Sequence, residues 1–468
     1  MAPGCDRFVT QLKPSRFAGV NTQNWFKIFP ARTSPHDAAI RRLALPALGA
    51  LAAEPLYVLI DTAIVGHLGT QALAGLAIAG IVLTGAYGIF NFLAYSTTAL
   101  VARRIGSGDR RGAAELGVDG AAVAVVIGGT LMVVGIVAAE LIVEAMGASK
   151  SVQPYALEYL RISLLGAPAM LFMLAGSGYQ RGRQDTRSTL VIAVAANLIN
   201  LALEIIFVYG LDGGVGGSAW GTVVAQWVAA GAFAVLLFRS VRATGARARP
   251  QGAGMRQTLV VGGPLIVRTG ALLIVFVGTT SLTARISDTA VAAYQIAFQI
   301  FLLLALAVDA IAIAAQALVG NFLGGNDPTA ARAAGRRMIE WGILVGLVIA
   351  VVLAIFRYDL ADIFTNDQTT SDLAAQMILV VALLQPLNAI VFVLDGILIG
   401  AGDQRFLALA MIIATIGVWT PAVLIITEIG GGPLALWGAV ALFIGARSVG
   451  LGWRFRSQAW AIGGAKRS

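Results

Sequence analysis

Residues 121–139 read AAVAVVIGGTLMVVGIVAA, a run without one charged side chain. A block of about 20 such residues, coiled as a helix, is long enough to cross a hydrocarbon core. Leu43–Gly66 and Val215–Phe238 are blocks of the same kind, the first broken only by Glu54 and Asp61. Across the chain 58% of residues are hydrophobic and 12% charged, with a mean hydropathy of +0.82. A soluble domain carries roughly 25% charged residues. The 55 glycines fit close helix packing in lipid. These observations imply an all-α integral membrane protein.

Working outward, the apolar blocks and the loops between them give twelve spans: 40–66, 72–102, 113–139, 153–181, 187–209, 216–238, 257–284, 289–319, 328–356, 371–400, 404–427 and 433–453. Positive charge favours cytoplasmic loops, so the arginines orient the chain. Arg103, Arg104, Arg110 and Arg111 fill the second loop, Arg181, Arg183 and Arg187 the fourth, and Arg239, Arg242, Arg247, Arg249 and Arg256 the sixth. Arg332, Arg336 and Arg337 follow in the eighth, whereas the odd loops hold only Lys150, Arg285 and Arg357. Both termini are expected in the cytoplasm. The formal net charge of +9 is explained by these loops, and no nucleic-acid partner is expected. The single cysteine, Cys5, excludes an intrachain disulfide and a thiolate metal cluster. His36 and His67 are separated by a helix and form no ligand pair, so no metal site is expected. Residues 1–38 hold five basic side chains but no apolar core, which reads as a cytoplasmic tail or an upstream start-codon assignment, not a secretory signal.

The chain also repeats itself. At an offset of 218 residues Pro46 meets Pro264, Pro168 meets Pro386, and ALVARRIGSGD (99–109) meets ALVGNFLGGND (317–327). Gly182 and Asp185 of GRQD fall on Gly400 and Asp403 of GAGD, and with one residue of slippage Trp220-Gly221 falls on Trp437-Gly438. A unit with an even number of spans keeps its orientation when duplicated. Two six-helix bundles, related by a pseudo-twofold axis along the membrane normal, are therefore expected at 39–238 and 257–455. Residues 239–256 form a basic linker and 456–468 a C-terminal tail. Rocking two such bundles about a central cleft gives alternating access, which favours a transporter.

Charges inside spans are costly, about 2.5–3.5 kcal/mol each on insertion scales, and mark functional candidates. Asp61 lies near the outer end of span 1. Asn200 and Glu204 stand at i and i+4 on span 5, hence on one face. Tyr159 and Thr222 fall in the first turns of spans 4 and 6, which enter from outside. Five polar side chains from four helices thus reach one depth in the outer leaflet. Individually, Tyr159 reads equally as an interface aromatic, Thr222 as a packing hydroxyl and Asn200 as interhelical glue. Burial disfavours a charged carboxyl and a second carboxyl nearby disfavours it further, so such a pair can take up and release a proton. Pro46 and Pro55 each remove a backbone hydrogen bond in span 1, which lets that helix bend. In the second half Arg268 and Asp309 lie at similar depth on consecutive spans and are expected to form an ion pair; the offset maps them onto Ala50 and Asn91. Asp395 is either functional or an organiser of the GAGDQR turn. Arg268 is the one cation apparent at mid-membrane, with Arg161 and Arg447 read as nearer the span ends.

PALGALAAEPLYVLIDTAIVGHLG (46–69) with ALAGLA (72–77), ARRIGSGD (102–109), GYQRGRQDTR (178–187) and NLINLALEIIFVYG (197–210), in this order, resemble the multidrug and toxic compound extrusion family, and within it the DNA-damage-inducible (DinF) branch. The resemblance covers roughly residues 40–455. It implies that Asp61, Tyr159, Asn200, Glu204 and Thr222 form the proton-coupling pocket of the N-terminal lobe, with Glu204 where the family more often has Asp. RRIGSGDRR lacks the loop signature of the major facilitator superfamily, which shares the twelve-span, two-half plan.

The expectation is a proton-coupled, or sodium-coupled, exporter of organic cations or amphipathic small molecules in the cell inner membrane. It would act as a monomer within the lipid bilayer, with no cofactor beyond the coupling ion. The alternative is a lipid or lipid-linked precursor flippase, whose cleft would need more cations than Arg268. A sensor would need an appended soluble domain, and no nucleophile–base or metal constellation suggests an enzyme.

Overall fold

The computed structural model describes residues 34–464. Cys5, nearly all of the N-terminal tail, and Lys466 and Arg467 lie outside them. Its helices are α1 (Asp37–Gly66), α2 (Thr70–Ile89), α3 (Phe92–Gly106), α4 (Arg110–Ala145), α5 (Gln153–Leu164), α6 (Ala167–Gly182), α7 (Thr186–Glu204) and α8 (Gly214–Thr244) in the first half. The second half holds α9 (Gly252–Ala284), α10 (Asp288–Gly324), α11 (Pro328–Asp362), α12 (Gln368–Gly400), α13 (Gln404–Ala414), α14 (Thr420–Glu428) and α15 (Pro433–Ser457). Eleven segments are long and apolar enough to cross a membrane, and α5 with α6, bent by 49° at their junction, makes a twelfth. The all-α, twelve-span fold expected from the sequence is the fold observed. One detail differs: the fourth span, read as continuous, breaks at Leu165–Gly166 ahead of Pro168. The N1–N2 position is where proline's missing N–H costs least, so a new helix starts there.

The repeat is visible in the packing. Glycines that let helices touch recur at the same offset: Gly128 against Pro168 and Gly346 against Pro386, Gly178 against Ala94 and Gly396 against Ala312. At each, an added Cβ would run into backbone of the facing helix. The N-caps recur too: Asp109 accepts from the Gly112 N–H and Asp327 from the Ala330 N–H, both at 2.8 Å. Each satisfies a donor that the helix start leaves bare.

Between the halves, α1 and α3 pack on α10, and α3 and α4 on α9. The polar bonds joining them lie at the arginine-rich end. Arg103 on α3 donates to the carbonyls of Ala401 (2.8 Å), Ile462 (3.0 Å) and Gly464 (2.8 Å). Asp37 at the start of α1 accepts from Arg337 at 2.6 and 2.8 Å and from Trp341 at 3.0 Å. Two charge-assisted contacts thus join the halves at this end.

Candidate functional site

Three helices of the first half each present two polar residues one turn apart: Tyr57 and Asp61 on α1, Asn200 and Glu204 on α7, Ser218 and Thr222 on α8. Spacing of four puts each pair on one face. Tyr159 joins them from α5. The Tyr159 hydroxyl donates to Asp61 Oδ2 at 3.0 Å, and the Ser218 hydroxyl donates to Asp61 Oδ1. The hydroxyls of Tyr57 and Thr222 are 2.7 Å apart, and Asn200 Nδ2 donates to Thr222 Oγ1 at 3.3 Å. Thr222 in turn donates to the Ser218 carbonyl at 3.2 Å, closing the network onto α8.

Glu204 is the outlier. It is 0% exposed, and neither carboxyl oxygen meets a hydrogen-bond partner; the same holds for Asn200 Oδ1. Its carboxyl lies in the electrostatic neighbourhood of Asp61 and Tyr57. Gly221 of α8 makes room for it, since a Cβ there would sit 3.1 Å from Glu204 Cγ. Immediately after Glu204 the helix widens into a π turn, Ile205–Gly210. Such turns are rare and gather at functional sites. A bare ionised carboxylate in this place is expensive, and a bound cation removes the cost.

The five first-half candidates, Asp61, Tyr159, Asn200, Glu204 and Thr222, therefore sit together. Tyr57 and Ser218 belong to the same network and were not singled out in the sequence. The signal was there, since each stands four residues before a named member, but hydroxyls on apolar spans are common. Pro46 and Pro55 both lie within α1, which remains one helix; the Ala53 carbonyl accepts from Asn197 Nδ2 at 2.7 Å. Glu54 is exposed and stands apart from this network.

The second half corrects one expectation. Arg268 pairs with Asp395, not Asp309, with Nε 3.2 Å from Asp395 Oδ2. Arg447, read as lying near a span end, is buried and donates to the same oxygen at 2.6 Å. Counting residues fixed the depth of Asp309 but not its direction around α10, and it makes no ion pair among the described residues. The GAGDQR turn is organised by other residues: Asp403 pairs with Arg454 at 2.7 Å, and Gln404 donates to the Ile399 carbonyl at 3.2 Å. Arg161 lies at the surface on Glu140, at 2.7 Å.

A family model described as MatE matches the chain twice, over residues 46–206 and 264–423, so the two matches begin at the paired prolines of the repeat. Protein DETOXIFICATION 44, chloroplastic, of Arabidopsis thaliana is 31% identical over 439 residues, covering 90% of this chain and 83% of that protein. DNA damage-inducible protein F of Escherichia coli is 27% identical over 434 residues, covering 91% and 94%. Among solved structures, a MATE crystallised in the bent conformation superposes with a TM-score of 0.83 at 24% identity, covering 90% of this chain and 95% of the other.

Proposed function

The chain belongs to the MatE family of multidrug and toxic compound extrusion transporters, and we propose that it is a proton-coupled antiporter that exports small molecules by alternating access. Export is the family's activity. The coupling mechanism rests on one observation: two buried carboxyls, Asp61 and Glu204, lie side by side, and only Asp61 accepts hydroxyl donors. Asp61 is held in place by two hydroxyl donors. Glu204, buried beside Asp61, can share a proton with it and lose that proton when water enters. Discharge of the pair through Tyr159, Ser218 and Thr222 couples α1, α5 and α8, so the pocket's charge can set how α1 packs. The positive-inside rule puts the arginine-rich end in the cytoplasm of the cell inner membrane, with both termini there. The protein would work as a monomer, since both halves of the transporter come from one chain.

Sodium is a second reading favoured by the three bare oxygens of Glu204 and Asn200. Substrate-dependent proton flux in proteoliposomes, with and without an imposed sodium gradient, separates the two. Flux that persists without sodium and shifts its pH profile in Glu204→Gln, but not in Glu204→Asp, supports the proton. Flux that needs sodium overturns it.

A further inference from the structure

Six polar side chains from both halves form a second set: Tyr95 of α3, Arg181 in the last turn of α6, Arg268 of α9, Asp309 of α10, Asp395 of α12 and Arg447 of α15. Tyr95 lies within electrostatic reach of Asp309, Arg268, Arg181 and Asp395, and its helix α3 packs against α6, α9, α10 and α12, so first-half and second-half groups are neighbours here. The set holds three guanidiniums and two carboxylates. Arg268 and Arg447 are both spent on a single oxygen, Asp395 Oδ2. Arg181 is partly exposed and makes no hydrogen bond or ion pair with the described residues, its charge partners Asp309 and Tyr95 acting only at longer range. Tyr95 and Asp309 are likewise partly exposed and make no hydrogen bond through their side chains with the described residues. A guanidinium without a carboxylate keeps its donors available, and its planar fork fits a carboxylate in two-point contact.

We propose that this cluster is a binding site for the carboxylate of a small organic anion, received by the partly exposed Arg181 and Tyr95, with Arg268 behind them adding positive charge. The excess positive charge selects the ligand's acidic group. Arg447 and Asp395 position Arg268 without touching the ligand. On this assignment the exported compounds include amphipathic acids, and not only the organic cations first expected from the sequence. The inference rests on the family's export activity but not on the coupling ion.

Binding to the full-length purified protein in a nonionic detergent tests it, with pyrenebutyrate, pyrenebutyltrimethylammonium and pyrenebutyl phosphate as probes sharing one aromatic body. Loss of a charge-assisted hydrogen bond corresponds to about tenfold in affinity. Pyrenebutyrate should bind about tenfold tighter than the ammonium probe, and Arg181→Gln should remove about that factor. Arg181→Lys should restore part of it, while the ammonium probe binds Arg181→Gln no worse than wild type. Arg181→Gln should fold normally, because Arg181 has no internal bond to lose. Tighter binding of the ammonium probe, or unchanged pyrenebutyrate affinity in folded Arg181→Gln, overturns the proposal. So does a preference for the phosphate that added phosphatidylglycerol abolishes, which would assign the site to a lipid head group. Because the assay involves no proton gradient, an error in the coupling mechanism leaves its outcome untouched.

Discussion

The two halves share one scaffold and carry opposite chemistry. The offset maps Asp61 onto Thr279 and Tyr159 onto Met377, so the second half has no carboxyl where the first has its pocket. Thr279 instead accepts from Trp419 Nε1 at 3.3 Å, and its neighbour Thr283 donates to its carbonyl at 2.8 Å. Conversely, Arg268 maps onto Ala50 and Asp395 onto Ser177, so the first half lacks the arginine–aspartate cluster. What was kept after duplication is backbone contact: the glycines at helix crossings and the aspartates at helix starts. What diverged is charge, and it diverged to different depths. The first half holds paired acids near the outer end of its helices, and the second holds arginines paired on Asp395, five residues before the end of α12. A scaffold built on small-residue contacts tolerates this, because the side chains that pack are not those that carry charge.

The sharpest contrast should appear at Asp395 and its counterpart. Asp395→Asn leaves two buried guanidiniums without a carboxylate and should destabilise the protein by about 3–5 kcal/mol. Ser177→Ala removes only a hydroxyl that bonds its own helix at the Leu174 carbonyl (2.9 Å). It should cost about 1 kcal/mol or less. Thermal melts of both in detergent check this; equal losses would mean that the arginine cluster is solvated and not paired.

Next come the shared contacts. Gly178→Ala and Gly396→Ala each push a methyl into backbone on the facing helix, at Ala94 and Ala312. Each should cost about 1–3 kcal/mol, and the two should agree. A large difference in their melts would show that the halves no longer pack alike.

The smallest effect should come from the caps. Asp109→Ala and Asp327→Ala each remove a helix cap worth about 1 kcal/mol. Asp109 should cost more, because it also pairs with Arg104. The Gly112 N–H first, and Arg104 after it, hold the Asp109 carboxyl below the ordinary carboxylate range. A carboxyl whose folded pKa is depressed stabilises the protein above its unfolded value, roughly 3.9, and that contribution disappears as pH falls through the folded value. The difference between the two alanine variants should therefore shrink in melts at the acid end. A difference that grows on acidification would be the wrong sign.

Span length and the repeat were legible in the sequence because neither needs tertiary information: a hydrocarbon core sets the one and an offset reveals the other. The convergence of Asp61, Tyr159, Asn200, Glu204 and Thr222 followed from topology and depth alone. Tyr57 and Ser218 were hidden by their ordinariness, and the π turn after Glu204 leaves no mark in an apolar run. Arg268 was matched with the wrong aspartate because depth is readable from a sequence and direction around a helix is not.

The division of labour between the halves meets its most direct test in Asp61→Asn, reconstituted and assayed for substrate-dependent proton flux beside Arg181→Gln. Asp61→Asn should insert and fold, still bind substrate, and carry no coupled proton flux, while Arg181→Gln should stay coupled but need more substrate. Coupled flux at the wild-type rate from well-folded Asp61→Asn would contradict the assignment of coupling to the first half.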